Sequence, residues 1–272
     1  MTPASHIRPA AVAGMFYPGD PAVLSDDIAA MLNEAAPSTL RPKALIVPHA
    51  GYIYSGPVAA TAYALLRPLR GAIRRVVLFG PAHRVAVRGL ALPRAEAFIT
   101  PLGSIPIDAA GVRLALALPH VLQTDAPHAQ EHSLEVQLPF LQSVLGDDFN
   151  LVPFVVGDAT AEEVAAVIDA LWGGDDNLIV ISSDLSHYHP YGEAQRLDQA
   201  SVDRILDLTL LADHEQACGA TPINGLIEVA RRRKLAVHLL DLRNSGDTAG
   251  DRSRVVGYAA IAFTAAKAGD VR

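Results

Sequence analysis

Imidazole and carboxylate side chains follow three short apolar segments of this sequence. His49 comes directly after ALIVP, and His83 lies two residues after RVVLFGP. Asp184 and His187 lie in SSDLSHYHP, directly after NLIVI. A buried imidazole needs a hydrogen-bond partner or a ligand, because removing its nitrogens from water costs free energy. These four residues are therefore the first candidates for a metal site or for proton transfer.

Two further groups could join them. His132 and Glu135 lie three residues apart in EHSLE, at the start of a helical pattern. Cys218 precedes a Thr-Pro pair that favours a helix start, so we expect its sulfur near the positive end of a helix. Taken alone, each group has a simpler interpretation, namely a structural hydrogen-bonding histidine or a buried, unreactive thiol. The other histidines are interpreted as surface or structural residues: His6, His120, His128, His189, His214 and His238.

The elements that must position these side chains alternate along the chain. Short β-branched segments predict strands at 44–48, 75–81, 150–158, 177–184, 236–246 and 255–263. Amphipathic patterns predict helices at 20–35, 57–69, 133–145, 160–172, 194–210 and 221–234. This alternation is typical of an α/β domain with a mainly parallel sheet, and the absence of linkers or repeats favours one domain over 1–272. Ligands of such sheets bind beyond the carboxyl ends of the strands, where the candidate residues lie.

Some features leave alternatives open. The segment from Arg84 to Pro106 is irregular and is interpreted as a hairpin or as an extra edge of the sheet. Tyr52 and Tyr54 either cover apolar surface or form a pocket wall that offers hydroxyl groups to a polar ligand.

Composition excludes several classes of function. Half of the 272 residues are hydrophobic and the formal net charge is −7, which argues against a nucleic-acid-binding surface. No segment approaches the roughly 18 consecutive apolar residues of a membrane span, and the first residues lack a secretory signal pattern. A single cysteine excludes an intrachain disulfide, so we expect a cytoplasmic protein. Phosphate-binding glycine loops and the nucleophile elbow of serine hydrolases are also missing.

Six motifs, in order along the chain, resemble those of the Memo family, whose bacterial members belong to the AmmeMemoRadiSam system. They are AGMFYP (13–18), PHAGYIYSG (48–56), FGPAH (79–83), EHSLEVQLPFL (131–141), SSDLSHY (182–188) and ACGATPI (217–223). The resemblance runs from about residue 8 to residue 263. It implies a fold similar to that of the class III extradiol dioxygenases, with a central mixed, mainly parallel sheet between helices.

The resemblance also implies a metal site. In the Memo family two histidines and a cysteine form it, and the matching residues here are His49, His83 and Cys218. Asp184 and His187 would lie beside the metal, and His132 would line the same cleft. If iron binds, His187 would serve as a general base and Asp184 would fix the tautomer of a neighbouring imidazole. Thiolate and imidazole ligands suit copper or zinc as well, so iron or copper is expected, with zinc as a third choice.

The predicted function is metal-dependent oxidation of a small substrate by a dioxygenase-like oxidoreductase. Tyr52, Tyr54 and Arg84 are the candidate substrate-binding residues, and Asp184, His187 and His132 the candidate catalytic residues. One alternative is a non-catalytic module that captures a phosphopeptide, for which Arg84 and Arg88 would provide positive charge. Another alternative is zinc-dependent hydrolysis. The family resemblance also implies a pathway shared with radical-SAM and AMMECR-type proteins.

Overall fold

The computed structural model describes residues 6–265, whose centre is a nine-stranded mixed sheet. The strands are β1 Ile7–Arg8, β2 Ala44–Val47, β3 Arg75–Pro81, β4 Leu90–Leu92, β5 Ala97–Thr100, β6 Gly103–Pro106, β7 Val121–Gln123, β8 Asn150–Val156, β9 Asn177–Ser182, β10 His187–His189, β11 Ala236–Asn244 and β12 Val255–Thr264. The helices are α1 Pro21–Glu34, α2 Tyr52–Tyr63, α3 Ala109–Ala115, α4 His132–Glu135, α5 Leu138–Leu145, α6 Ala161–Ala170, α7 Tyr191–Leu206, α8 Ala220–Arg233 and α9 Ser245–Thr248, with a 3₁₀ helix at Ala64–Leu69.

Four adjacent parallel strands, β2, β9, β3 and β8, form the middle of the sheet. Every residue of β2 and β9 is buried, as expected for parallel strands that are covered on both faces. The pairing of Val47 with Ser182 sets the ends of β2 and β9 level with each other. The loops that carry His49, His83 and Asp184 therefore all leave the sheet at the carboxyl ends of its parallel strands, as the sequence predicts.

Helices cover both faces of the sheet. Side chains of β2 alternate between two apolar clusters, Leu45 and Val47 in one, Ala44 and Ile46 in the other. The first cluster includes residues of α1, α2 and α5, and the second includes residues of α6, α7 and α8. This single α/β domain with a mixed sheet between helices confirms the predicted fold class. Among the described residues, no helix is both long enough and apolar enough to cross a bilayer.

The irregular segment after Arg84 contains both of the structures that its sequence suggests. β4 adds to the main sheet, antiparallel to β8. β5 and β6 form an antiparallel hairpin, and β1 pairs with β5 to complete a small second sheet.

Two predicted helices differ from the structure by more than a shift of a few residues at their ends. α2 begins at Tyr52, five residues before the predicted start, and continues through Gly56 and Pro57. Gly56 lies against α1, where an added Cβ would lie 2.6 Å from Sδ of Met31 and would displace that flexible side chain. The pattern at 133–145 forms two helices, since Pro139 occupies the first turn of α5 and favours a new helix start.

Candidate metal centre

Three histidine rings converge beyond the carboxyl ends of the central parallel strands. His49, His83 and His132 each place one ring nitrogen within 4.8 Å of the other two. The ring centroids of His83 and His132 lie 4.6 Å apart, and that of His49 lies 5.2 Å and 5.4 Å from them. Imidazole nitrogens suit iron, copper, nickel and zinc, so this arrangement could hold a transition metal.

His49 follows β2 and is held through its Nδ1 atom, which lies 2.9 Å from Oγ of Ser182. The Ser182 hydroxyl donates its own proton to the carbonyl oxygen of Ser133 at 2.6 Å. Oγ therefore accepts from His49, which assigns the ring proton to Nδ1 and leaves the lone pair of Nε2 free. The backbone N–H of His49 donates to Oδ1 of Asp184 at 2.7 Å and fixes the strand end.

Glu131 holds His83 in the equivalent way. Its carboxylate accepts from the backbone N–H of His83 at 2.6 Å and lies 2.9 Å from Nδ1 of the same residue. The same carboxylate caps α4 by accepting from the backbone N–H groups of His132 and Ser133. Although burial opposes ionisation, these hydrogen bonds lower the pKa of Glu131 to about 2. The carboxylate thus assigns a proton to Nδ1 of His83 and leaves its Nε2 free to bind a ligand.

His132 has no such partner. It is the first residue of α4, its ring lies 4.6 Å from that of Phe16, and 15% of its side chain is exposed. Its Nδ1 atom is buried and makes no hydrogen bond among the described residues, although Oε1 of Glu131 lies 3.3 Å away. Native proteins rarely leave a buried polar atom unpaired, so an unpaired imidazole nitrogen here is consistent with a bound ligand or ion.

The cluster favours neutral imidazoles. Burial, together with the neighbouring rings of His83 and His132, holds the pKa of His49 well below its usual range. Burial and His83 lower the pKa of His132 to about 4. Burial also lowers the pKa of His187. Because a neutral imidazole is the metal-binding form, His49 and His132 are suited to hold a transition metal at neutral pH.

Cys218 lies beside the cluster, just before α8. Its Sγ atom lies 3.3 Å from Nε2 of His49 and 3.8 Å from Oγ of Ser183, but it is not a member of the close group of three. Burial and the nearby Asp184 raise the pKa of the thiol to about 12, whereas a bound metal would stabilise the thiolate. The ligand set His49, His83 and Cys218 stays a prediction, and His132 is an additional candidate ligand that the sequence assigned only to the cleft wall.

Asp184 and His187 both border the cleft. Asp184 is buried, and burial raises the pKa of its carboxyl to about 7, against the hydrogen bonds from the backbone of His49 and Ala50. Its Oδ2 lies 4.0 Å from Nε2 of His49. Ser182, rather than Asp184, contacts Nδ1 of His49. In this structure Asp184 therefore positions the main chain of His49 and does not set the tautomer of that ring.

The cleft above the histidines has a volume of about 760 Å³, which suits a small organic ligand. Tyr54 lines it, as the sequence predicts. Tyr52 does not, because its ring packs against Tyr17 and Phe140 and its hydroxyl donates to the carbonyl of Val136. Arg84 is exposed and lies outside the lining, while several lining residues were not singled out from the sequence: Phe16, Tyr188, Ser245, Asp251, Arg254 and Tyr258.

Comparison with known proteins identifies relatives over almost the whole chain. The family model described as Memo-like protein matches residues 8–262. A MEMO1 family protein of Ignicoccus hospitalis is 36% identical over 282 residues, covering 94% of this chain and 98% of that protein. A MEMO1 family protein of Methanopyrus kandleri is 38% identical over 279 residues, covering 94% and 98%.

A solved structure shares the fold at low sequence identity. The crystal structure of an uncharacterized protein of Escherichia coli K12 superposes with a TM-score of 0.53 and 14% identity, covering 81% of this chain and 99% of that chain. The sequence motifs, the α/β fold and the family match agree over the same residues. The chain belongs to the Memo family.

Proposed function

We propose that this protein binds iron or copper at the histidine cluster and oxidises a small substrate in the cleft above it. One observation carries the proposal: three imidazole nitrogens lie within 4.8 Å of one another at the base of a cleft of about 760 Å³. Ser182 and Glu131 each hold Nδ1 of a histidine, which leaves two Nε2 atoms free to bind the ion. Such oriented, neutral ligands are typical of a metal site.

The surrounding residues have separate roles in this proposal. Bound iron or copper would supply Lewis acidity and one-electron chemistry toward oxygen. His187, whose pKa is lowered by burial, would accept a proton from a substrate hydroxyl. Asp184 would keep His49 in place through its backbone N–H. Tyr54 and Phe16 would form one wall of the substrate site and restrict water.

Zinc-dependent hydrolysis is the second candidate function. Three neutral histidines also form zinc sites in which a bound water becomes the nucleophile. The phosphopeptide alternative expected Arg84 and Arg88 to provide positive charge in the cleft. Arg84 does not line the cleft, and Arg88 borders a separate pocket.

Reconstitution without oxygen separates the two chemistries. The purified protein is loaded with Fe(II), Cu(I) or Zn(II), then tested for oxygen uptake with a panel of catechols and for hydrolysis of nitrophenyl esters. We expect oxygen uptake with iron or copper, and we expect His49→Ala to lose it. His6→Ala should retain it, because the imidazole of His6 is exposed and His6 is far from His49 in the sequence. Hydrolysis with zinc alone would instead support the second candidate. Equal activity in His49→Ala and the wild type would refute both.

A further inference from the structure

An arginine at the cleft mouth has no acidic partner. Arg254 lines the same cleft as His49 and His132, and it is exposed. No carboxylate of residues 6–265 lies within 4.0 Å of its guanidinium, whereas Arg252, two residues earlier, pairs with Asp247 at 3.9 Å. A guanidinium offers a fork of N–H donors that matches a carboxylate or phosphate group.

Asp251, the other charged residue at the cleft mouth, makes its hydrogen bonds within its own turn. The carboxylate of Asp251 accepts from the backbone N–H of Ser253 at 2.7 Å and from its hydroxyl at 2.5 Å. Asp251 is therefore engaged locally, and Arg254 remains available to an incoming anion.

Tyr188 lies next to this arginine, and the backbone of Tyr188 has an unfavourable conformation. Its φ is +62°, in the left-handed region that residues with a Cβ seldom adopt, and its side chain is 62% exposed. The guanidinium carbon of Arg254 lies 5.2 Å from the centre of the Tyr188 ring. An aromatic face attracts a cation and restricts its orientation. Residues in such conformations cluster at ligand-binding sites, which makes Tyr188 a candidate member of one.

The strain arises where the sheet changes register. β10 pairs with β12 through His187 with Val256 and His189 with Val255, and the register shifts between these two pairs. Such a bulge redirects one side chain. Here it keeps His187 on the cleft wall and turns Tyr188 toward Arg254. The ring centroids of His187 and Tyr188 lie 5.8 Å apart, so Tyr188 neighbours both the arginine and the candidate general base.

We propose that Arg254 and Tyr188 form an anion-binding subsite, and that the substrate carries a carboxylate or a phosphate group. This inference rests on the proposed function in one respect only, that the substrate occupies the cleft. The anionic group binds at the mouth, and the reacting end of the substrate extends toward the histidines. The protein would then discriminate against neutral molecules of the same shape, because they leave the guanidinium unpaired.

Calorimetric titration of the metal-free protein tests the subsite directly. The probes are benzoate, phenyl phosphate, inorganic phosphate and neutral benzamide. We expect the anions to bind and benzamide to bind at least roughly tenfold more weakly. The tighter of benzoate and phenyl phosphate identifies the anionic group. Arg254→Gln should weaken anion binding by roughly tenfold or more, and Arg254→Lys should lie between, since lysine lacks the planar fork.

Arg113→Gln is the matched control, because it removes the same charge from an exposed arginine of α3 that lies outside the cleft lining. It should leave the affinity for benzoate unchanged. Equal weakening in both arginine variants would indicate a general charge effect and would overturn the subsite. Unchanged affinity in Arg254→Gln would overturn it as well.

Tyr188→Asn separates binding from folding. Asparagine tolerates the left-handed conformation, so the midpoint of thermal unfolding should stay equal or rise while anion affinity falls. A lower midpoint with unchanged affinity would show that the ring acts only in packing and would remove Tyr188 from the proposal.

His49→Ala distinguishes failure of the subsite from failure of the proposed function. We expect this variant to lose metal but to keep anion binding that depends on Arg254. Retained metal with Arg254-dependent binding would contradict the metal site and leave the subsite standing. Anion binding that is lost in His49→Ala and unchanged in Arg254→Gln would place the anion at the histidines and overturn the subsite.

Discussion

The segment EHSLE contributes to two buried polar clusters that differ in how completely their hydrogen bonds are satisfied. On one side, Glu135 is fully buried and its carboxylate accepts from the hydroxyl of Tyr17 at 2.6 Å and from the guanidinium of Arg8. It also accepts from the backbone N–H groups of Ala11 and Val12, at 2.8 Å and 3.0 Å. We call this group the Glu135 network.

On the other side lies the histidine cluster of His49, His83 and His132, which is only partly satisfied. Nδ1 of His49 and Nδ1 of His83 are hydrogen-bonded, but Nδ1 of His132 makes no hydrogen bond within residues 6–265 and has only Oε1 of Glu131 nearby, at 3.3 Å. The contrast separates two roles of buried polar groups. A complete network fastens one part of the chain to another, whereas an incomplete one is suited to bind something else.

The two regions are mechanically connected. The Glu135 network attaches the residues before α1 to α4, and the same stretch places Phe16 4.6 Å from the ring of His132. The Glu135 network therefore positions the wall of the cleft, while the histidines form its base.

The largest expected effect is on stability, in the Glu135 network. Glu135→Ala leaves the guanidinium of Arg8, which is 6% exposed, without its anion. Breaking a buried ion pair by removing one partner costs about 3–5 kcal/mol. Urea unfolding should show a loss of this size. A loss below about 1 kcal/mol would mean that the network does not fasten the chain, and the comparison would fail.

His132→Ala is the counterpart in the histidine cluster. It removes a side chain whose Nδ1 makes no hydrogen bond, so the free energy of unfolding of the metal-free protein should change by only about 1 kcal/mol, while metal affinity falls. Unfolding and metal titration on the same preparation test both parts. A destabilisation as large as that of Glu135→Ala would show that the two regions do not differ.

Glu131→Gln should act mainly on metal affinity. The amide keeps an acceptor for Nδ1 of His83 but removes the negative charge that makes the imidazole a better donor. Loss of such a supporting carboxylate typically weakens metal binding by about 10–100-fold. Competition titration with a chromogenic chelator measures the change, and an unaltered dissociation constant would remove Glu131 from the metal site.

The last prediction is a pH dependence of stability. The pKa of Asp184 is raised to about 7 in the folded protein, so the folded state binds a proton that the unfolded state releases at a lower pH. Its contribution to stability is complete below the unfolded pKa and is lost as pH rises through about 7. Metal-free Asp184→Asn lacks this contribution. As pH rises from 4 to 8, the free energy of unfolding of the variant should therefore increase relative to that of the wild type. Parallel unfolding curves at all pH values would contradict the assignment.

Sequence predicts those parts of the site that depend on local pattern. His49 and His83 are found because each follows a continuous apolar strand, and parallel strands share their carboxyl edge. His132 could be placed in the cleft but not in the cluster, since its position depends on Glu131 capping α4 while holding His83, 48 residues away.

Long-range packing explains the errors. Tyr52 resembles Tyr54 in sequence, but the register of α2 turns Tyr52 into the core against Phe140. Arg84 follows a motif residue yet lies outside the cleft, while Arg254 lines it from the start of the last strand. Arg254 and the histidines line one cleft, which β10 and β12 border as paired strands, and no local sequence pattern encodes that pairing.

The metal-to-protein ratio after purification without oxygen tests the central claim most directly. It is measured by elemental analysis for the wild type, His49→Ala and the exposed control His6→Ala. The account predicts near-stoichiometric iron or copper in the wild type and in His6→Ala, and none in His49→Ala. The same metal content in all three proteins, or none in the wild type even after reconstitution, would contradict a metal centre at the histidine cluster.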